Sequence, residues 1–350
     1  MPRPNAIQAA QKFRQDLLNN EAAAAERMGR VYAGIYQRLE NDLLKLAEQI
    51  AAMPDIDKAA VKELRQAQWV LQQIEEQVTK FGGVVQSEVI NAQAVALEAG
   101  IDNAVKLIEL SLPDLPPNVR NGIIGQLNRI HPDAIEAAAG LLGPDSPLLS
   151  KLEQDYGAAV AQQVETHLLD GIASGFNPNR IALLLSKNVQ SGLGFGLTQA
   201  ISTVRTAQIK SYQIANHSMY AANNRLVPEW VWWSALDSRC CMSCIHQHGS
   251  VHPYTEVLND HHQGRCAPIP KTITYKALGL DLPETTQPIF RGEDWFNKQA
   301  TATQREMMGP GMYEAWKGGK FGFGDLSKKY DSEVYGELLR QATLKELVRQ

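Results

Sequence analysis

Apolar side chains recur every three or four residues along most of the chain, the spacing that places them on one face of an α-helix. The first such stretch covers residues 7–52 and includes Met28, Val31, Ile35, Leu39, Leu43, Leu46 and Ile50. Two further helices are predicted, one from Asp57 to about Lys80 that Gly82-Gly83 should break, and one that ends at Leu112. The pattern predicts a mainly α, elongated helical protein.

The helical spacing resumes after a proline-rich linker at residues 113–117. Glycines at 192, 194 and 196 are expected to precede a long helix over residues 197–224. The run Trp230-Val231-Trp232-Trp233 then combines aromatic and β-branched residues, which favours a strand that packs against the core. Helical spacing returns towards Leu347, so the tail is predicted to be helical.

The composition describes an ordinary globular protein rather than a membrane or nucleic-acid-coating one. Hydrophobic residues make up 44% of the chain and charged residues 21%, and the net charge of −4 argues against a surface that is basic throughout. There is no apolar run of the roughly 18 residues that a membrane helix needs, and no apolar signal core. We therefore expect a protein that is made and kept in the cytosol, or packaged from it.

All four cysteines lie in one short stretch, together with five of the eight histidines. The cysteines are Cys240, Cys241, Cys244 and Cys266, and the histidines are His246, His248, His252, His261 and His262. In a reducing compartment, such a cluster indicates a metal site rather than disulfides.

The spacing within this stretch suggests which side chains bind the ion. Cys241 and Cys244 form a C-x-x-C pair, which directs two thiolates at one metal, and Cys266 follows with His261 or His262 just before it. Three sulfurs and one imidazole are a tetrahedral set suited to structural zinc, with no position left for a substrate. Cys240 can replace a neighbouring cysteine as ligand, and the other three histidines are expected to be hydrogen-bonded or exposed.

These patterns predict four parts of the chain. They are an N-terminal long-helix region (1–112), a helical domain (113–228), a small α+β zinc-knuckle-like unit (229–285) and a C-terminal helical tail (286–350).

The arrangement of residues around the cysteines resembles the signature of the phage Mu F-like head morphogenesis family. The matching positions are Trp232 or Trp233, Asp237, Arg239, Cys241, Cys244, His248-Gly249, His261 or His262, and Arg265-Cys266, followed by a proline. The family pattern often has a further cysteine where Gly264 stands here, which leaves the fourth ligand open. The resemblance covers about residues 160–350.

The resemblance implies a structural, non-enzymatic minor head protein of a tailed bacteriophage. Such a protein lies in the head interior near the portal and acts in head assembly and in genome packaging or delivery. The expected partners are the portal protein, other head proteins and possibly the packaged DNA, with no membrane and no small-molecule substrate. The expected location is the virion, and the host cytoplasm during assembly.

One alternative is a metal-dependent nuclease of the HNH type. A C-x-x-C pair followed by Asp260-His261-His262 is reminiscent of such enzymes, in which a histidine activates water. This function needs a further histidine on a later helix, and no histidine follows Cys266.

A second alternative is a zinc knuckle that binds nucleic acid. The tail combines basic and aromatic residues that can contact phosphates and stack on bases, namely Lys317, Lys320, Lys328 and Lys329 with Tyr313, Trp316, Phe321 and Phe323. A solvated loop beside a helix with buried aromatic side chains is the simpler interpretation.

Overall fold

The protein is mainly helical, as predicted. The computed structural model describes residues 3–53, 65–140, 146–155, 178–281 and 290–348. Within these ranges the helices before the sheet are α1 (Pro4–Ala51), α2 (Arg65–Ser111), α3 (Pro117–Gly125), α4 (Pro132–Ala139), α5 (Pro147–Asp155) and α6 (Pro178–Ala222). The later ones are α7 (Met242–Gln247), α8 (Gly292–Asn297), α9 (Thr301–Met308), α10 (Pro310–Lys317) and α11 (Leu344–Val348). None of the described helices has both the length and the apolar character required to cross a bilayer.

Two predicted helix breaks are wrong, because the glycines lie inside continuous helices. Helix α2 runs through Gly82-Gly83, and α6 runs through the three glycines at 192–196. A glycine inside a helix costs only about 1 kcal/mol relative to alanine. In α2 the neighbouring Phe81, Val85 and Val89 are almost fully buried, and their burial outweighs that cost. The predicted helix start at Asp57 lies outside the described residues.

The predicted strand is confirmed and is the centre of a small antiparallel sheet. Strand β1 (Glu229–Trp233) pairs with β2 (Val251–Pro253) on one side and with β3 (Ala267–Lys271) on the other. Trp230 and Trp232 are buried, so the tryptophan run packs into the core as expected.

The tail is helical only in part, and the prediction of a helical tail is wrong over residues 327–341. Strand β4 (Ser327–Ser332) pairs with β5 (Gly336–Gln341) as an antiparallel hairpin. Gly336 has a φ of +68°, a conformation that glycine adopts at little cost and that suits the turn. Within these two strands, Leu338 is the residue that is deeply buried. A single buried position gives no alternation of apolar and polar residues, so the sequence cannot distinguish a strand from a helix here.

The chain divides into two compact units. The first unit comprises residues 1–18, 93–141 and 208–350, and the second comprises residues 19–92 and 142–207. The four-part division that the sequence suggests, and the elongated shape, stay predictions.

The cysteine-rich segment shares its hydrophobic core with the rest of the first unit. One cluster of buried side chains combines residues of α2, α6, the sheet, α7 and the tail, including Ile101, Ile108, Met219, Trp230, Ile245, Phe296 and Leu326. The segment therefore packs on its helical neighbours and on the tail over one continuous core.

Helices α2 and α6 approach each other closely within this unit, at a glycine. A Cβ atom at Gly100 would lie 2.6 Å from Cβ of Ala215 and 2.9 Å from the carbonyl oxygen of Tyr212. The absence of a side chain at Gly100 permits this contact, and the contact places the following turn of α6 against the sheet.

Candidate metal centre

The C-x-x-C pair lies at the start of the short helix α7. Cys241 is the residue that caps the helix, and its sulfur accepts a hydrogen bond from the backbone N–H of Cys244 at 3.4 Å. The backbone N–H of Ile245 donates to the carbonyl oxygen of Cys241 at 3.0 Å. The turn therefore directs both sulfurs to the same side, as the spacing predicts.

The loop between β2 and β3 brings His261 to these two sulfurs. Its Nε2 atom lies 3.2 Å from Sγ of Cys241 and 3.3 Å from Sγ of Cys244. In tetrahedral zinc coordination, bonds of about 2.3 Å to sulfur and 2.0 Å to nitrogen put those atoms about 3.6 Å apart. The imidazole nitrogen needs to move away from each sulfur by only a few tenths of an ångström. Since all three donor atoms lie within 4.8 Å of one another, this group can hold a metal ion.

The imidazole of His261 is oriented as a metal ligand should be. Its Nδ1–H donates to the backbone carbonyl oxygen of His262 at 2.7 Å, which leaves the Nε2 atom facing the sulfurs. Metal-binding histidines commonly make such a second hydrogen bond, which fixes the tautomer and the ring. The orientation of His261 is thus set by the backbone of its own loop.

The same contact favours a protonated His261 ring beside a Cys241 thiolate. The hydrogen bond with Cys241 raises the pKa of His261 to about 9. The hydrogen bond with Cys244, aided by the one with His261, lowers the pKa of Cys241 to about 4. A metal ion bound between these atoms would take the place of that proton, so binding should release protons.

Cys266 and Cys240 also lie near Cys244, so that three thiols surround it. The Cys244 thiol lies within hydrogen-bonding reach of the thiols of Cys240, Cys241 and Cys266, and these contacts together with burial raise its pKa. The hydroxyl of Ser234 lies 3.4 Å from Sγ of Cys266 and donates to the carbonyl oxygen of Cys244 at 2.6 Å. Cys266 and Cys240 thus lie near Cys244, but among the described residues the donor atoms that lie within 4.8 Å of one another are those of Cys241, Cys244 and His261. Cys266 as the third sulfur ligand stays a prediction.

Of the two candidate histidines, the structure places only His261 beside the thiols. The ring of His262 lies against Tyr330 and Tyr335 of the β4–β5 hairpin, with centroids 6.3 and 5.6 Å apart.

The other histidines of the cluster have separate hydrogen-bonding or packing contacts. His248 is buried and its Nδ1 accepts from the backbone N–H of Ser234 at 3.1 Å; burial lowers its pKa to about 4, so the ring is neutral. His246 lies beside Phe323.

His252, on strand β2, belongs to a series of hydrogen bonds beside the sheet. Its Nε2 lies 2.7 Å from Oγ of Ser250, and its Nδ1 lies 2.8 Å from a carboxylate oxygen of Glu256. A hydroxyl, an imidazole and a carboxylate in this order are also the groups of a hydrolytic catalytic triad. However, the Ser250 hydroxyl donates to the carbonyl oxygen of Gln247 at 2.7 Å, and the His252 ring stacks on Trp230. We interpret these hydrogen bonds as structural contacts that stabilise strand β2 and the turn after it.

An ion pair joins the two chain segments that carry the thiols. Arg265, next to Cys266, donates two hydrogen bonds to the carboxylate of Asp237, at 2.7 and 2.6 Å. Asp237 precedes the C-x-x-C pair, and the hydrogen bonds from Arg265 lower its pKa from 3.8 to about 2. This two-point contact holds the segments in register beside the candidate ligands.

The Asp237–Arg265 pair should make the stability of the site depend on acid pH. Because folding lowers the pKa of Asp237, its contribution is complete above about pH 4 and is lost as the pH falls towards 2. We expect Asp237→Asn to unfold at lower urea concentration than the parent at pH 6, and we expect the gap between the two midpoints to narrow as the pH approaches 2.5.

The control for this measurement is Glu229→Gln. This change removes an exposed ion pair between Glu229 on β1 and Lys271 on β3. Such a pair contributes little to stability, so the difference in urea midpoint between Glu229→Gln and the parent should stay small from pH 6 to pH 2.5. A gap for Asp237→Asn that is equally large at pH 6 and pH 2.5 would contradict the role given to the Asp237 carboxylate.

The aromatic residues of the tail do not form a surface for stacking bases. Tyr313, Phe321 and Phe323 are buried in the shared core. The ammonium of Lys317 lies over the ring of Trp316 at 4.5 Å, and Lys329 forms an ion pair with Glu337 at 2.8 Å. These contacts favour the simpler interpretation of the tail and not the nucleic-acid-binding knuckle.

A family model described as phage Mu protein F like protein matches residues 162–271, a segment that contains all four cysteines and His261. No curated protein and no solved structure matches the chain. The match confirms the resemblance that the residues around the cysteines suggest, and it supports a phage head morphogenesis protein in general terms.

Proposed function

From the premise that residues 162–271 are phage Mu F-like, we propose that the protein is a structural minor head protein of a tailed bacteriophage. It lies in the head interior near the portal, and it acts in head assembly and in genome packaging or delivery. The observation that carries the proposal is that two thiols and one imidazole of the matched segment, those of Cys241, Cys244 and His261, lie close enough together to bind one ion.

The ion in this proposal is a structural zinc held by Cys241, Cys244, Cys266 and His261. Cys244 and Cys266 are 4% and 6% exposed, and Cys241 and His261 are half-buried. Thiolate and imidazole ligands suit zinc, and four protein ligands leave no position for a reacting water molecule. When bound, the ion links α7 to the loop before β3, so the role is structural and not enzymatic.

The metal unit, residues 229–285 in this proposal, gives a fixed shape to a surface that contacts other head proteins. The helical regions before it and the tail after it supply further contact surfaces. Its partners are the portal protein, other head proteins and possibly the packaged DNA. The protein is in the host cytoplasm during assembly and in the virion afterwards.

Co-expression with the portal protein encoded in the same phage genome tests this proposal. We expect the two proteins to co-purify as a stable complex through affinity and size-exclusion steps. We expect the complex to be lost when Cys241 and Cys244 are both replaced by serine, and to be kept with Cys240→Ser, which changes a thiol outside the proposed ligand set.

The same proposal predicts the phenotype of a phage that lacks the gene. Heads should be absent, misassembled or unable to deliver DNA. Normal yields of infectious particles without the protein, together with no binding to the portal or capsid proteins, would contradict the proposed function.

A further inference from the structure

A buried ion pair lies directly behind the candidate ligands. The ammonium of Lys210, on α6, lies 2.9 Å from Oδ1 of Asp260 and donates to its backbone carbonyl oxygen at 3.0 Å. The side chains of Lys210 and Asp260 are 8% and 0% exposed. Removing two charges from water is costly, and such a pair often contributes little to stability. Its position next to His261 suggests a different role.

The Asp260 carboxylate connects the two ends of the ligand loop. Its Oδ2 accepts from the backbone N–H of Cys266 at 3.3 Å. Gln213, one helical turn after Lys210, donates to Oδ1 of Asp260 and to the carbonyl oxygen of Cys266, both at 3.1 Å. The residue before His261 and the ligand residue Cys266 are therefore held to each other and to one face of α6.

The loop is built closely around this carboxylate. A Cβ atom at Gly264 would lie 2.0 Å from Oδ2 and 2.2 Å from Cγ of Asp260, so no larger residue fits while the carboxylate stays in place. Lys210 and Gln213 prevent the carboxylate from moving aside. Gln263 has a φ of +59°, an uncommon conformation for this residue type that persists only where the surroundings impose it.

We propose that Asp260, held by Lys210 and Gln213, is a positioning residue for the metal site. It sets the backbone of residues 260–266 so that His261 and Cys266 converge on Cys241 and Cys244 before the ion arrives. The inference rests on the proposed metal site and adds the dependence of that site on α6. Residues that orient metal ligands typically change affinity by about 10- to 100-fold when they are replaced.

Asp260→Asn tests the role of the carboxylate with little change in shape. The amide oxygen of asparagine can still accept a hydrogen bond, but its NH2 group cannot accept the hydrogen bond that the backbone N–H of Cys266 donates. We expect zinc affinity, measured by competition with a chromogenic chelator, to fall about 10- to 100-fold. With cobalt(II) as the probe, the thiolate charge-transfer absorption should weaken, because Cys266 is no longer held in position.

A double variant separates ligand positioning from general stability. Replacing Lys210 with Met and Asp260 with Leu removes both buried charges, which can leave folding stability unchanged or increased. We expect its thermal unfolding in excess chelator to stay close to that of the parent, while its zinc affinity falls as in Asp260→Asn. Glu229→Gln, which removes an exposed carboxylate from the same sheet, should keep the parent's affinity and spectrum.

The outcomes distinguish this inference from the proposed function. If the parent protein binds neither zinc nor cobalt, the metal function fails and the inference fails with it. If the parent binds the ion and either variant binds within about twofold of it with the same cobalt spectrum, only the positioning role of Asp260 is overturned.

Discussion

Replacing Cys241 and Cys244 together with serine is expected to abolish metal binding and to unfold the segments that meet at the site. A serine hydroxyl is a poor substitute for a thiolate at zinc. Structural zinc sites supply about 10–16 kcal/mol of apparent binding free energy, which becomes folding free energy. Because the tail shares a core with α7, residues 229–281 and 290–348 should both become accessible to protease.

The second unit should stay folded in this double variant. It draws no residue from the cysteine cluster, so most of the far-ultraviolet helical signal should persist while new cleavage sites appear in the first unit. Limited proteolysis with mass spectrometry of the fragments measures this difference.

Cys240→Ser is the matched control for the double variant. The Cys240 thiol is buried and contacts Cys244, but it is outside the proposed ligand set. We expect it to keep the parent's zinc content and protease resistance. An unchanged cleavage pattern in the double variant would show that the cysteine pair does not hold this unit together.

A methyl group added at position 292 should separate the tail from the C-x-x-C helix. A Cβ atom at Gly292 would lie 1.8 Å from the carbonyl oxygen of Ile245 and 2.9 Å from Cβ of His248. The backbone N–H of Gly292 also donates to the carbonyl oxygen of His248 at 3.1 Å. Because the clash is with backbone, Gly292→Ala should cost at least the roughly 1–3 kcal/mol typical of overpacking.

The measurements for Gly292→Ala are its melting temperature and the protease sensitivity of residues 290–348. We expect a lower melting temperature and earlier cleavage in the tail. The control is Gly122→Ala in α3, where nothing lies within 4 Å of the added methyl group; it should be neutral or stabilising by up to about 1 kcal/mol. Equal melting temperatures for the two variants would show that the tail does not dock through Gly292.

Local patterns predicted the helices and the central strand well, because each depends on residues close together in the chain. The helical stripe of residues 7–52 and the tryptophan run at 230–233 both correspond to elements of the expected type. The glycine breaks and the helical tail were wrong. At Gly82-Gly83, the burial of Phe81, Val85 and Val89 outweighs the cost of glycine in a helix. The β4–β5 hairpin has one deeply buried leucine to mark it.

The sequence identifies the C-x-x-C pair of the candidate site, but it cannot choose between the two adjacent histidines. The C-x-x-C spacing defines two neighbouring thiols by itself. Cys266 was added because it follows the histidine pair, and its role as a ligand stays a prediction. His261 and His262 are adjacent, so spacing cannot rank them. In the structure Tyr330 and Tyr335, far along the chain, occupy the side that His262 faces.

The Lys210–Asp260 contact was also beyond the reach of sequence patterns. Its partners are 50 residues apart, and each residue type is usually exposed. Two features of the sequence indicate this contact only weakly. An aspartate stands just before the histidine pair, and the glycine at position 264 lets the loop backbone approach another group closely. Neither signal identifies the helix that supplies the lysine.

X-ray absorption at the zinc edge of the purified protein tests the closed metal site most directly. We expect one zinc per chain with about three sulfur neighbours near 2.3 Å and one nitrogen near 2.0 Å. A zinc with an oxygen neighbour from water and fewer sulfurs would contradict a sealed structural site, since it would leave a coordination position open for a reaction.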